Sequence, residues 1–254
     1  MNSPNLEECN YATMKDRQIE VAVLPFGATE PHSLHLPYGN DTLTVTAMAQ
    51  SACKKANEQG ASVLLLPSMP YGVDTNLMAF PFTMNCSPST HLALMQDLID
   101  SLEHHGIHKL VIANGHGGNE FGFILRELFG ATSVFLSVYE WWKTVVDNLS
   151  PEYQPTGDHA DDMETSISLY LFPHLVDMSV ADDGATKSCR LEAVRKGYVK
   201  ITRPWHLLTR NAGVGDPRQA TAKKGEKIFN LAVDQLAAYL VELSAAEIDE
   251  TFPY

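Results

Sequence analysis

Ile19-Glu-Val-Ala-Val-Leu-Pro-Phe-Gly-Ala-Thr-Glu30-Pro-His32-Ser-Leu-His35-Leu-Pro-Tyr-Gly-Asn-Asp41-Thr42 is the stretch that decides the fold. It opens with an apolar run that reads as a strand over 19–25. It then passes into a loop held by prolines and glycines that carries Glu30, His32, His35 and Asp41. Open α/β sheets place their sites where strands end and spill polar side chains into such loops. Glu30 and His32 are two apart, so an extended backbone presents both on one side. The turn Pro37-Tyr38-Gly39 folds Asp41 back toward them. Mixed nitrogen and oxygen donors of this kind suit Zn, Mn or Fe better than Ca or Mg. The plainer reading is a polar loop in which Asp41 caps the helix beginning at Thr42 and His32 bonds locally.

Outward from this stretch, strand and helix patterns alternate. A helix runs over 42–59 and stops at Gly60. Ala61–Pro67 is a short apolar run suited to a parallel strand buried on both faces. The connection 68–85 is long and rich in Pro, Gly, Met and Phe, and is expected to fold over the site. Ser87 or Ser89 caps a helix that ends near Gly106, and His108–Ala113 reads as a third strand. Phe121–Phe129 reads as a helix and Ser133–Tyr139 as a fourth strand. A loop then leads to Gly157-Asp158-His159-Ala160, followed by a helix that runs through Glu164 to Phe172. The pattern over 176–208 is irregular, with an edge strand expected at Gly197–Thr202. A long amphipathic helix spans about Arg218–Glu242. Residues 1–18 read as an extended arm or a short helix. The alternation implies one domain over 1–254, a three-layer α/β/α sandwich with a mainly parallel central sheet.

Composition narrows the partners. The chain has 254 residues, 44% of them hydrophobic, and a net charge of −13, which disfavours nucleic acid and anionic membranes. The first residues lack a basic, then apolar, leader pattern, and no run of about 18 apolar residues occurs, so a cytoplasmic location is expected. Cys9, Cys53, Cys86 and Cys189 fit neither a zinc ribbon nor a disulfide framework and read as reduced thiols.

Two further segments carry chemistry. Asn114-Gly-His116-Gly-Gly-Asn119 follows the third strand, and its glycines let other groups approach His116 closely. The alternative is a glycine-rich turn around a structural histidine; G-x-G-x-x-G and Walker spacings are absent. Asp158-His159-Ala-Asp161-Asp162-Met-Glu164 places a histidine just before a helix and a glutamate in its first turns. Asp161 and Asp162 read as an acidic helix start that complements the macrodipole. Neither G-x-S-x-G nor H-E-x-x-H is present.

The segment Pro25–Thr42, the NGHGGN element at 114–119, His159-Ala160 with Glu164-Thr165-Ser166, and Gly213-Val-Gly-Asp-Pro217 together resemble the creatininase (creatinine amidohydrolase) family. The resemblance implies an α/β/α fold, two divalent metal ions, amide hydrolysis and a homo-oligomer such as a hexamer. It implies that Glu30, Asp41 and His116 hold one ion and that His32 and Asp41 hold the other, with Asp41 bridging. His159 corresponds to the residue assigned to proton transfer, and His35 stands behind the ligands. True creatininases carry a glutamate where this chain has Gly118, and Glu164 is the natural replacement. His159 and Glu164 are therefore the expected catalytic pair. The third loop and Asp161 also depart from the family pattern and argue against creatinine itself. The expected substrate is a small-molecule amide, cyclic or linear. A deformylase, a small-peptide amidase and an inactive binding oligomer are the alternatives. Tyr71, Phe80, Trp141 and Trp142 are candidate pocket walls.

Overall fold

A computed structural model describes residues 3–149 and 153–254; parts of the N-terminal arm and of the loop before Gly157 lie outside them. Among the described residues the sheet has four parallel strands: β1 (Val21–Phe26), β2 (Val63–Leu65), β3 (Lys109–Asn114) and β4 (Phe135–Glu140). Their order is β2-β1-β3-β4. Val21 pairs with Val63 on one side, and Ala22 with Leu110 on the other. The two-residue alternation of side chains then sorts the core. Val21, Val23, Val63, Leu65, Val111 and Ala113 face one layer, and Ala22, Leu24, Phe26, Leu64, Leu110 and Ile112 face the other.

The helices supply the outer layers. After a 3-10 turn at Leu6–Glu8 comes a one-turn helix, α1 (Tyr11–Met14), followed after β1 by α2 (Asn40–Glu58). Next come α3 (Pro88–His104), α4 (Gly122–Leu128), α5 (Trp141–Asn148) and α6 (Asp162–Leu171). The short α7 (Glu192–Arg195) and α8 (Trp205–Leu208) precede the long α9 (Ala222–Ala245). Residues of α2, α5, α6 and α9 cover the first face, whereas residues of α3 and α4 cover the second. This is the α/β/α sandwich that the alternating pattern implies. Although α9 is long and apolar enough to cross a membrane by composition, Ile228, Phe229, Leu236 and Leu240 are buried in the core.

One alternative and two expectations are corrected. Asp41 does not cap α2: the helix starts at Asn40, and Gly39 before it offers no side-chain bond. Asp41 lies in the first turn with its carboxylate turned to the site. Trp141 and Trp142 begin α5 rather than leading into a loop. Gly197–Thr202 is not a strand; Val199 and Ile201 remain about half exposed because the segment meets no free sheet edge. Ser87 does cap α3, its side chain accepting from the Thr90 amide.

Gly225 allows α9 to press on α6. A Cβ there would overlap the Ser166 carbonyl. Gly225→Ala is therefore expected to lower stability by about 1–3 kcal/mol, seen as a fall in Tm. Gly122→Ala, where a Cβ meets open space, is expected to be neutral or slightly stabilising.

Candidate metal centre

The carboxyl ends of β1 and β3 bring the chemistry together. The loop after β1 supplies Glu30 and His32, and the first turn of α2 supplies Asp41. The loop after β3 supplies His116, and the start of α6 supplies Glu164. Glu30 and His32 are fully buried, and Asp41, His116 and His159 nearly so. His32 Nε2 lies 2.7 Å from Asp41 Oδ1 and 3.9 Å from Glu164 Oε2. His116 Nδ1 lies 2.9 Å from Glu30 Oε1 and 3.0 Å from Asp41 Oδ2. Asp41 thus reaches both imidazoles, one oxygen to each.

Backbone and loop contacts hold these rings. His159 Nε2 donates to the Pro31 carbonyl at 2.9 Å, which leaves Nδ1 facing Glu30 Oε1 at 3.6 Å. Trp205 and the His159 ring pack edge to face, with centroids 4.8 Å apart. His116 Nε2 donates to the Val73 carbonyl at 3.3 Å, so the 68–85 connection does close over the site. Glu164 Oε2 accepts from the Ala160 amide at 2.6 Å, and Ala160 takes a left-handed φ of 50° to present it. That conformation costs a residue with a Cβ about 1–2 kcal/mol. Asp161 is the N-cap of α6, accepting from the amides of Met163 and Glu164. Its other oxygen accepts from those of Thr156 and Gly157. Asp162 instead pairs with Lys224 at 3.0 Å.

His35 donates or accepts at the Thr165 hydroxyl, 2.8 Å away, and joins none of the ligand groups. Trp141 and Trp142 line the large cavity in front of the site, whereas Tyr71 and Phe80 do not. Phe80 packs instead with Leu77, Trp205 and Ala212, and Tyr71 is half exposed. The sequence reading missed two residues. Trp205 lies in the irregular 176–208 region, which gave no periodic signal. Asp74 is fully buried with its Oδ1 3.1 Å from His116 Nε2. A lone charge in an otherwise apolar connection was its only signal.

The electrostatics are those of a crowded, dry site. Burial pushes the Glu30 carboxyl up to about 7 and Glu164 up to about 8. Burial opposes charge on His32, but Asp41 outweighs it and raises the imidazole to about 10. His116 is likewise raised, against burial, by Glu30, Asp41 and Asp74. Asp41 is held below the ordinary carboxylate range because the two imidazoles overcome its desolvation. His159 is pushed well down by burial and by the charge of His32. Burial, then the charge of His32, brings His35 down to about 4.

Both oxygens of Glu30, both of Asp74 and Oδ2 of Asp41 are buried without a hydrogen-bond partner. Their nearest neighbours are His116 nitrogens, 2.9 Å from Glu30 Oε1, 3.0 Å from Asp41 Oδ2 and 3.1 Å from Asp74 Oδ1. Unpartnered buried carboxylate oxygens are costly, and a cation among them removes the cost. Ligand atoms converge within 4.8 Å in the groups Glu30-Asp74-His116, His32-Asp41-Glu164 and Glu30-His32-His159. The donor set therefore fits divalent metal.

A parallel α/β/α protein with a histidine–carboxylate cluster at its strand ends defines the class. Within it, the chain belongs to the creatininase family: the family model, described as creatinine amidohydrolase, matches residues 5–240. The creatinine amidohydrolase of Pseudomonas putida is 32% identical over 238 residues, covering 85% of this chain and 87% of that protein. The mycofactocin precursor peptide peptidase of Mycobacterium tuberculosis is 30% identical, covering 84% of this chain and 81% of its own length. A Bacteroides fragilis structure described as a candidate creatinine amidohydrolase superposes with TM-score 0.89 at 31% identity, covering 98% of this chain and 100% of its own. A zinc–zinc form of a creatininase mutant and a manganese creatininase superpose with TM-scores of 0.79 and 0.76, both at 25% identity. They cover 97% and 96% of this chain and 100% of their own.

Asp161 ties the 156–157 turn and the start of α6 together around His159 and Glu164. Asp161→Ala removes an N-cap and strands the amides of Thr156 and Gly157. It is expected to cost about 2–4 kcal/mol in denaturant unfolding, with Asp161→Asn intermediate.

Proposed function

We propose that the chain hydrolyses a C–N amide bond of a substrate other than creatinine, using two divalent cations. The observation that carries this reading is the set of unpartnered buried carboxylate oxygens on Glu30, Asp41 and Asp74. Charge arithmetic supports two ions: Glu30, Asp41, Asp74 and Glu164 carry four negative charges when ionised, which two divalent cations balance. Glu30, Asp41 and His116 would hold one ion, and His32, Asp41 and Glu164 the other, with Asp41 shared. Zinc or manganese suits these donors, as the zinc and manganese forms among the structural relatives also suggest. Bound ions of this kind lower the pKa of water toward neutrality and polarise a substrate carbonyl.

The chain's own residues then divide the remaining work. Glu30, Asp41 and Glu164 would supply the negative charge that the ions require, and Asp41, with one oxygen toward each imidazole, stands between the two groups. His159 carries its proton on Nε2, against the Pro31 carbonyl, and so offers Nδ1 to accept a proton on the site side. Burial disfavours its charged form, so the neutral ring is the form available to accept. The accepted proton can pass to the departing nitrogen. Trp205 against the ring keeps Nδ1 aimed.

Gly118 supports the exclusion of creatinine. A Cβ there would stand 2.5 Å from the Val73 carbonyl and overlap His116, so the glutamate of true creatininases has no room without moving backbone. A second reading, a small-peptide amidase, is favoured by the cavity of about 1240 Å³ lined by Trp141, Trp142 and Arg203. That is larger than the usual range of small-molecule pockets, about 300–1,000 Å³, and one relative is a peptide peptidase. The inactive-oligomer alternative leaves this ligand set without a purpose.

Chelator treatment is expected to abolish hydrolysis across a panel of creatinine, formamidopyrimidine-type amides and short peptides, with Zn²⁺ or Mn²⁺ restoring it on the true substrate class. Elemental analysis of Glu30→Ala, Asp41→Ala and His116→Ala is expected to show lost metal in each. Full occupancy in all three would overturn the metal reading.

A further inference from the structure

We propose that Asp74 is a positioning residue for His116: with the Val73 carbonyl, it keeps the ring proton on Nε2 and thereby commits Nδ1 to metal binding. This rests on the reading of His116 as a ligand. The two nitrogens of the ring face opposite ways. Nδ1 looks toward Glu30 and Asp41 at 2.9 and 3.0 Å, and Nε2 looks toward Asp74 and Val73 at 3.1 and 3.3 Å. A carbonyl can only accept, so the Val73 contact requires a proton on Nε2. Asp74 lies beside that N–H, fully buried, with both oxygens unpartnered. A buried carboxylate has no reason to be there unless positive charge lies close by.

The backbone is arranged to place it. The Asp74 amide donates to Asn85 Oδ1 at 2.8 Å, and its carbonyl accepts from Leu77 at 2.9 Å. The adjacent Val73 amide donates to Asn119 Oδ1 at 3.0 Å, which ties this connection to the His116 loop itself. Gly118 gives the Val73 carbonyl its room: any side chain there would force that carbonyl off Nε2. The glycine and the aspartate therefore form one device. The position that carries a ligand in true creatininases is emptied, and a carboxylate on the opposite side of His116 acts on the ring instead. Carboxylate partners of this kind typically raise metal affinity 10- to 100-fold, an effect of about that order being expected here.

The test compares Asp74→Asn and Asp74→Ser with the wild-type chain, using Zn²⁺ titrated into chelator-stripped protein. Zn²⁺ affinity is expected to fall about 10- to 100-fold in both variants. Nitrogen-15 spectra of the loaded wild-type protein are expected to show His116 protonated at Nε2. Unchanged affinity, or a fall in metal-free Tm with affinity intact, would overturn the proposal and leave Asp74 a packing residue. So would a proton found on Nδ1. His116→Ala separates the two levels: if it keeps full Zn²⁺ affinity, the ligand reading itself fails. If it loses metal while Asp74→Asn does not, only the positioning role fails.

Discussion

Four carboxylates and three imidazoles share one nearly dry volume at the end of a parallel sheet, and the rest of the structure answers to that crowding. Like charges at these separations in a low-dielectric interior repel strongly. Burial first, and then the charge of Asp41, makes Glu30 and Glu164 hold protons far above the ordinary range. Divalent metal, as proposed, would replace those protons with positive charge. The same crowding explains the second layer of contacts. Pro31 orients His159, Val73 orients His116, Thr165 holds His35, and the Ala160 amide holds Glu164. Each fixes a group that would otherwise rotate away from its neighbours.

The sheet makes that concentration affordable. β1 and β3 are adjacent and parallel, with Pro25 opposite Ala113 and Phe26 opposite Asn114, so their exit loops leave side by side. Two apolar layers, one on each face, fix the strands before any polar group is placed. The site loops are then pinned by contacts reaching across long sequence distances. Asn119 Nδ2 donates to the Gly27 carbonyl at 3.1 Å, joining the β1 and β3 loops. Ser168 donates to Asn40 Oδ1 at 2.6 Å, joining α6 to the start of α2.

Much of this was legible in the residues. The alternating apolar runs located the four strands because parallel strands buried on both faces must be apolar throughout. Glu30, His32, Asp41 and His116 were legible because loops with prolines and glycines around metal-competent side chains have few other uses. Asp74 was not. It sits in an irregular connection whose path is set by Asn85, Asn119 and Gly118 together, and no local pattern announces a contact made through three separate segments. Trp205 was hidden for the same reason: its place against His159 depends on a loop tied to Asn76 rather than on any helix period. The expected strand at Gly197–Thr202 failed in the other direction. Alternation there reflects residues left exposed at the rim of the cavity, not a paired edge.

If Glu164 takes the ligand role that the family resemblance places at Gly118, as proposed, more than a ligand's address changes. A glutamate on the β3 loop would project from the same segment as His116 and move with it. Glu164 instead belongs to α6, beside His159, and its oxygen is held by Ala160 in a left-handed backbone conformation. His159, in the turn before α6, and Glu164, in the first turn of α6, therefore stand side by side, and α6 is capped by Asp161 and packed on α9 through Gly225. The space the β3 loop gives up is filled by the Val73 carbonyl, while the cavity stays open between α5, the β3 loop and the 197–205 segment. Under the proposed function, a substrate entering there would meet His159 and Glu164 from the α6 side, with Trp141, Trp142 and Trp205 as walls. Selectivity would then rest on segments outside the proposed ligand set, consistent with relatives as unlike in their substrates as a creatinine amidohydrolase and a peptide peptidase.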